Sequence, residues 1–167
     1  QIITFTFPHI GNVGTNEDDI EALNMAARPG ACGVILRADI TDPSNYRATR
    51  NLDAWLKARG IIGLSGIDTR ALTALIRTKG MPNAVIAHAE NGVFDLAALK
   101  SEAKAWPGLE GMVLVPMGTS GQRFVWDEMP WAWDKGFERQ QTSEFNVVAV
   151  DYGIKRNILR LLAGEGC

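Results

Sequence analysis

Cysteine and histidine are scarce in this sequence, with two of each. Cys32 and Cys167 lie far apart and share no CxxC spacing. That argues against a disulfide framework or a zinc site and for two free thiols in a reducing compartment. Cys32 opens an apolar run with no basic neighbour, so it reads as an inert buried thiol. His9 and His88 both stand outside any nucleophile motif, and no GxSxG or GxCxG elbow is present. No nucleophile–base–acid set therefore assembles from these residues. There is no apolar run of about 18 residues to cross a membrane, and the start shows no signal-peptide pattern. Charge of one sign is missing too: 17 Lys and Arg against 19 Asp and Glu give a net charge of −2. Such a balance supplies no basic field for nucleic acid or an anionic membrane.

What remains is the composition of an ordinary soluble globular protein, and its mixed strand and helix patterns read as α/β. A chain of 167 residues suits one domain, or one domain and a piece of another. At this size roughly 70% of the unfolded surface is buried, so no metal or disulfide staple is required.

The most legible stretch is Gly63 to Gly80, GLSGIDTRALTALIRTKG. Asp68 suits an N-cap, and Ile67 and Leu72 then take the hydrophobic-staple positions. Leu72, Leu75 and Ile76 are spaced to share a face. Arg77 and Lys79 lie near the negative end of the helix dipole, and Gly80 suits the stop.

Around it, Ile2 to Phe7 reads as a strand ended by Pro8. The loop PHIGNVGTN follows, with Gly11 and Gly14 free to take positive φ. Glu17, Asp18, Asp19 and Glu21 read as a solvated face or helix start rather than a metal site, because the Gly and spaced oxygens of a calcium loop are missing. Gly33 to Ala38 fits a buried strand. Asp42 to Asn45 is a turn signal. Leu52, Trp55 and Leu56 mark a helix stopped by Gly60, and Ile61 to Leu64 is a short strand. Ala84 to His88 reads as another strand, with His88 structural or exposed. After the Asn91-Gly92 turn, Leu96, Leu99 and Ala103 mark a helix that ends before Pro107.

Gly118 to Trp133 is irregular. Gly118-Thr119-Ser120-Gly121 has nest-like residues but no P-loop Lys, and reads as a turn. Trp126, Trp131 and Trp133 form either a minor core under a loop or a docking surface. Lys135 to Ser143 reads as a linker. Asn146 to Val150 then fits a buried parallel strand, and Ile154, Ile158, Leu161 and Leu162 trace a helix face. This βα unit looks like the start of a doubly wound domain. Asp151 and Gly153 sit at the strand's carboxyl end, where such folds bind ligands, but one glycine is no dinucleotide fingerprint. Lys155 and Asn157 suit the helix start, capping it or pairing with Asp151.

Three blocks, TFPHIGNVGTN (6–16), GLSGIDTRALTALIRTKG (63–80) and VVAVDYGIKRNILRLL (147–162), resemble the small subunit of glutamine-dependent carbamoyl phosphate synthetase, in family order. SNYR and LDAWLKARGI between them are also similar to the family. Met81-Pro82-Asn83-Ala84 departs from its usual glutamine-asparagine-glycine run. The resemblance implies a mixed β/α N-terminal domain over 1–144 that docks on the large subunit, then the first βα unit of a class I amidotransferase domain over 145–167. It further implies that the cysteine nucleophile, histidine and glutamate for glutamine hydrolysis lie beyond Cys167, which matches the end of the first βα unit. Both termini then read as cut from a longer chain. No catalytic, cofactor-binding or metal residue is expected within these residues. ATP and metal ions would belong to the large subunit, and the protein would be cytoplasmic. The alternative is a stand-alone interaction module with the tryptophan segment as its contact surface.

Overall fold

Three short β-rich runs become a parallel sheet because helical or long connections separate them. The computed structural model describes residues 1–21 and 30–167. It divides into two compact units, Gln1–Asp19 with Gly30–Gly111, and Ile20–Pro29 with Met112–Cys167.

In the first unit, β1 (Ile2–Thr4), β2 (Gly33–Ile35) and β3 (Ile62–Leu64) lie side by side in that order. Ile3 is opposite Val34, and Val34 is opposite Gly63. β1 is shorter than the expected Ile2 to Phe7, although the Phe5 amide still donates to Ile35 O at 3.0 Å. Val34, Leu36 and Leu56 form the buried centre, ringed by Phe5, Ile10, Ile40, Leu52, Trp55 and Ile61. Each fully buried aliphatic side chain contributes about 1.5–3 kcal/mol. Cys32 is exposed rather than buried. It precedes the strand, and its thiol donates to Gln1 O at 3.2 Å.

α1 (Leu52–Ala58) is capped by Asn51, whose side chain accepts from the Asp53 amide at 2.8 Å. It packs on β3. α2 (Thr69–Lys79) begins and ends where its sequence dictates. Asp68 accepts from the Ala71 amide at 3.1 Å, and Gly80 stops the helix at φ 85° with its amide on Ile76 O. Its inward face differs from the expected one. Thr69 is fully buried and Leu72, Thr73 and Ile76 are half-buried, while Leu75 is 50% exposed. The 100° step per residue turns Leu75 about 60° from Leu72, away from β1, on which α2 packs. α3 (Leu96–Ala105) is capped by Asp95, which accepts from the Ala97 and Ala98 amides. Ala84 to His88 forms no strand. Ile86 instead lies over Gly33, where an added Cβ would come within 2.7 Å of it.

The 10–16 loop holds a single 3₁₀ turn, Gly11–Val13. Gly14 has φ 70°, as expected. Gly11 does not take positive φ. Its missing side chain serves close approach instead, since a Cβ there would sit 2.5 Å from Ile40 Cγ2. In the acidic segment, Glu17 pairs with Arg59 at 2.8 Å and Asp19 with Arg47 at 2.9 Å.

In the second unit, α4 (Val115–Gly118) precedes an antiparallel hairpin of β4 (Glu128–Ala132) and β5 (Gly136–Arg139). The expected linker from Lys135 to Ser143 therefore contains a strand. Asp134 in the left-handed region (φ 67°) and Gly136 (φ 69°) close the turn that the polar composition disguised. α5 (Arg156–Gly164) packs on β4. Asn146 to Val150 is exposed and forms no strand, because no described strand offers it a ladder. The whole is a mixed α/β fold with one parallel and one small antiparallel sheet. Among the described residues, no helix is long and apolar enough to cross a membrane.

Candidate functional site

The turn from Asp151 into α5 gathers several short polar contacts within the second unit. Asp151 Oδ2 accepts from the Ser120 amide at 2.7 Å, and Oδ1 accepts from the amides of Gly153 (2.7 Å) and Ile154 (2.8 Å). The turn around Ser120 thus receives an anion, and it is the chain's own carboxylate. Hydrogen bonds from Ser120, then Ile154 and Gly153, hold the Asp151 carboxyl below the ordinary aspartate value. A lowered folded pKa gives stability that is present above the unfolded value and lost as pH falls through the folded one. Asp151→Asn keeps one oxygen for Gly153 and Ile154 but turns an NH₂ toward the Ser120 donor. Ser120 amide exchange, followed by NMR, should accelerate by about tenfold or more, and its loss of protection at acid pH should vanish in the variant.

α5 has no local cap. Lys155 holds the N-cap position without a side-chain bond, and no ion pair joins it to Asp151 among the described residues. Glu21 does the capping instead. Its carbonyl accepts from the Arg156 amide at 3.0 Å and its Oε2 from the Asn157 amide at 2.8 Å. One turn on, Arg160 is 3% exposed. Its guanidinium meets Glu128 at 2.7 Å and Glu21 at 3.6 Å and lies 3.7 Å over the Phe137 ring. Leu159 and Ala163 are the buried apolar residues of α5, whereas Ile158 and Leu161 are 48% and 54% exposed. The expected face of Ile154, Ile158, Leu161 and Leu162 is therefore not the one that packs on the hairpin.

The remaining candidates stay apart. His9 and His88 are exposed. His88 borders a cleft of about 510 Å³ in the first unit. Two polar pairs line it, Ser65 with Asp39 at 2.6 Å and Lys57 with Asp53 at 2.7 Å. Cys167 borders a cleft of about 630 Å³ in the second unit, beside Trp126, Val148 and Leu159. Trp126 donates to Glu128 O at 2.8 Å, and Trp131 and Trp133 meet edge to face at 6.1 Å on the hairpin. Among the described residues, no group of three His, Cys, Asp or Glu is placed to hold a metal ion. Sequence reasoning missed Glu21, Glu128 and Arg160. A lone arginine inside the apolar run ILRLLA was the available signal, since a buried guanidinium requires partners.

At the start of α5 the amides of Gly153, Ile154, Arg156 and Asn157 are all taken by the chain's own acceptors. Fold and site together define a mixed α/β protein whose ligand-ready turn is filled from within. Residues 1–86 match the family described as carbamoyl-phosphate synthase small chain, CPSase domain. The chain belongs to that family. Over 167 residues it is 82% identical to the carbamoyl phosphate synthase small chain of Bradyrhizobium diazoefficiens, covering all of itself and 42% of that protein. To the small chain of Rhizobium meliloti it is 66% identical over 169 aligned residues, again covering 42% of the relative. The chain thus spans well under half the length of these curated relatives.

Proposed function

We propose that these residues are the folding and docking part of a carbamoyl phosphate synthase small chain. The whole small chain hydrolyses glutamine and delivers ammonia to a large chain, which makes carbamoyl phosphate for pyrimidine and arginine synthesis in the cytoplasm. Residues 1–144 form its N-terminal domain and 145–167 open its amidotransferase domain. The catalytic triad belongs to sequence outside these residues. No cofactor or metal is held here; ATP and metal ions belong to the large chain. The 82% identity across the whole chain to one named small chain carries this reading, supported by a sequence with two exposed histidines and no nucleophile elbow.

The test is ammonia release from glutamine. The 167-residue chain alone should show none above buffer, and the whole small chain should show turnover that a thiol reagent abolishes. Thiol-sensitive turnover by the 167-residue chain would overturn the division of labour.

A further inference from the structure

One Asn-Gly pair occurs in the sequence, Asn91-Gly92. Both residues are exposed and lie in the turn that leads to α3. The Gly92 amide closes that turn on Ala89 O at 3.0 Å. Asn91 Oδ1 accepts from the Val93 amide at 3.1 Å. The side-chain carbonyl is thus folded back along the following peptide and polarised by a donor. Asn91 Nδ2 has no hydrogen-bond partner among the described residues. Three other asparagines make the same contact with the amide two residues on: Asn16 with Asp18 at 2.8 Å, Asn45 with Arg47 at 3.1 Å and Asn51 with Asp53 at 2.8 Å. They are followed by Glu17, Tyr46 and Leu52, whose side chains crowd the intervening peptide. Asn16 and Asn51 also tie down Nδ2, on Arg47 O and Thr41 O. Gly92 has no Cβ, has φ 67° and stands in open space, so its peptide can swing toward Asn91 Cγ. The swing first gives up the bond to Ala89, which costs about 1 kcal/mol.

We propose that Asn91 is a site of spontaneous deamidation through a cyclic imide. Gly92 N passes its proton to water and bonds to Asn91 Cγ, the Cγ–Nδ2 bond breaks, and ammonia leaves. Water then opens the ring. Cleavage at Cγ gives aspartate, and cleavage at the main-chain carbonyl gives isoaspartate, whose backbone is one methylene longer. Nothing is oxidised or reduced, and each event adds one negative charge ahead of α3. Asp95 caps that helix through its own bonds, and an anion near a helix N-terminus is favourable, so the product stays folded and accumulates. The experiment holds the 167-residue chain in warm, mildly alkaline buffer made with heavy-oxygen water and follows its peptides by mass spectrometry. Asn91 should take up one heavy oxygen at least about tenfold faster than Asn45, yielding both aspartate and isoaspartate. Gly92→Ala should slow the change by about tenfold or more. Tyr46→Gly gives the Asn45 turn the same successor and should bring Asn45 to within about threefold of Asn91. Equal rates at Asn91 and Asn45 in the unaltered chain, or an unmoved Asn45 in Tyr46→Gly, would overturn the proposal. Aspartate as the sole product would overturn the imide, because the ring opens both ways.

Discussion

Glu128→Ala should destabilise the second unit by about 3–5 kcal/mol, more than any other single change to its ion pairs. The reason lies in which charge is buried. The Arg160 side chain is 4% exposed, whereas Glu128 is 25% and Glu21 39% exposed. Removing Glu128 strands a desolvated guanidinium whose remaining carboxylate, Glu21, stands 3.6 Å away. Arg160→Met does the reverse. It deletes the buried charge, keeps an apolar stem against Phe137, and leaves two carboxylates that reach water, so about 1–2 kcal/mol is expected. Urea unfolding of both variants checks the order. A costlier Arg160→Met would mean that the guanidinium is hydrated and that its packing contributes more than its pairing.

Gly14→Ala should cost the first unit about 3 kcal/mol or more, enough to lower the yield of folded protein. Two terms add. The residue has φ 70° and ψ −165°, a region essentially restricted to glycine, in which an L side chain costs on the order of 1–3 kcal/mol. A Cβ would also lie 2.5 Å from Ala48 Cβ and 2.7 Å from Pro43 Cβ, neither of which can rotate away. Gly60 supplies the contrast, with φ 64° and open space around it, so Gly60→Ala carries the backbone term alone. Thermal melts should show the larger loss for Gly14→Ala, which adds the steric clash to its backbone cost. Equal losses would mean that the 43–48 turn yields without cost.

The contrast between α2 and the second unit explains how much of this fold could be read in advance. α2 is specified locally: Asp68, Gly80 and the apolar spacing act within one helix, and the structure ends it where they say. Even so, the spacing misplaced Leu75, because which stripe turns inward is decided by the neighbouring β1 and not by the helix. Asn146 to Val150 reads as buried for the same reason in reverse. Its composition states what partner it suits, but a strand exists only where another supplies its ladder, and no described residue does. Lys135 to Ser143 hid a strand because β5 is polar and is held by pairing with β4. The site at the start of α5 was half visible. Asp151 and Gly153 flagged the turn, whereas Glu21 looked like one more acidic surface residue until the fold set it beside Arg156 and Asn157.

That cap reaches across 136 residues of chain, which bears on the order in which the molecule can be assembled. Closing so long a loop costs about 4 kcal/mol or more in chain entropy, while a helix cap returns about 1 kcal/mol. Glu21 therefore cannot recruit α5. It must wait until the hairpin and helix have collapsed and then lock them. During synthesis residue 21 leaves the ribosome long before Arg156 exists, so Glu21 waits uncommitted to α5 while residues 30–155 are made. A recombinant piece beginning at Met112 would carry the helix with that end permanently frayed.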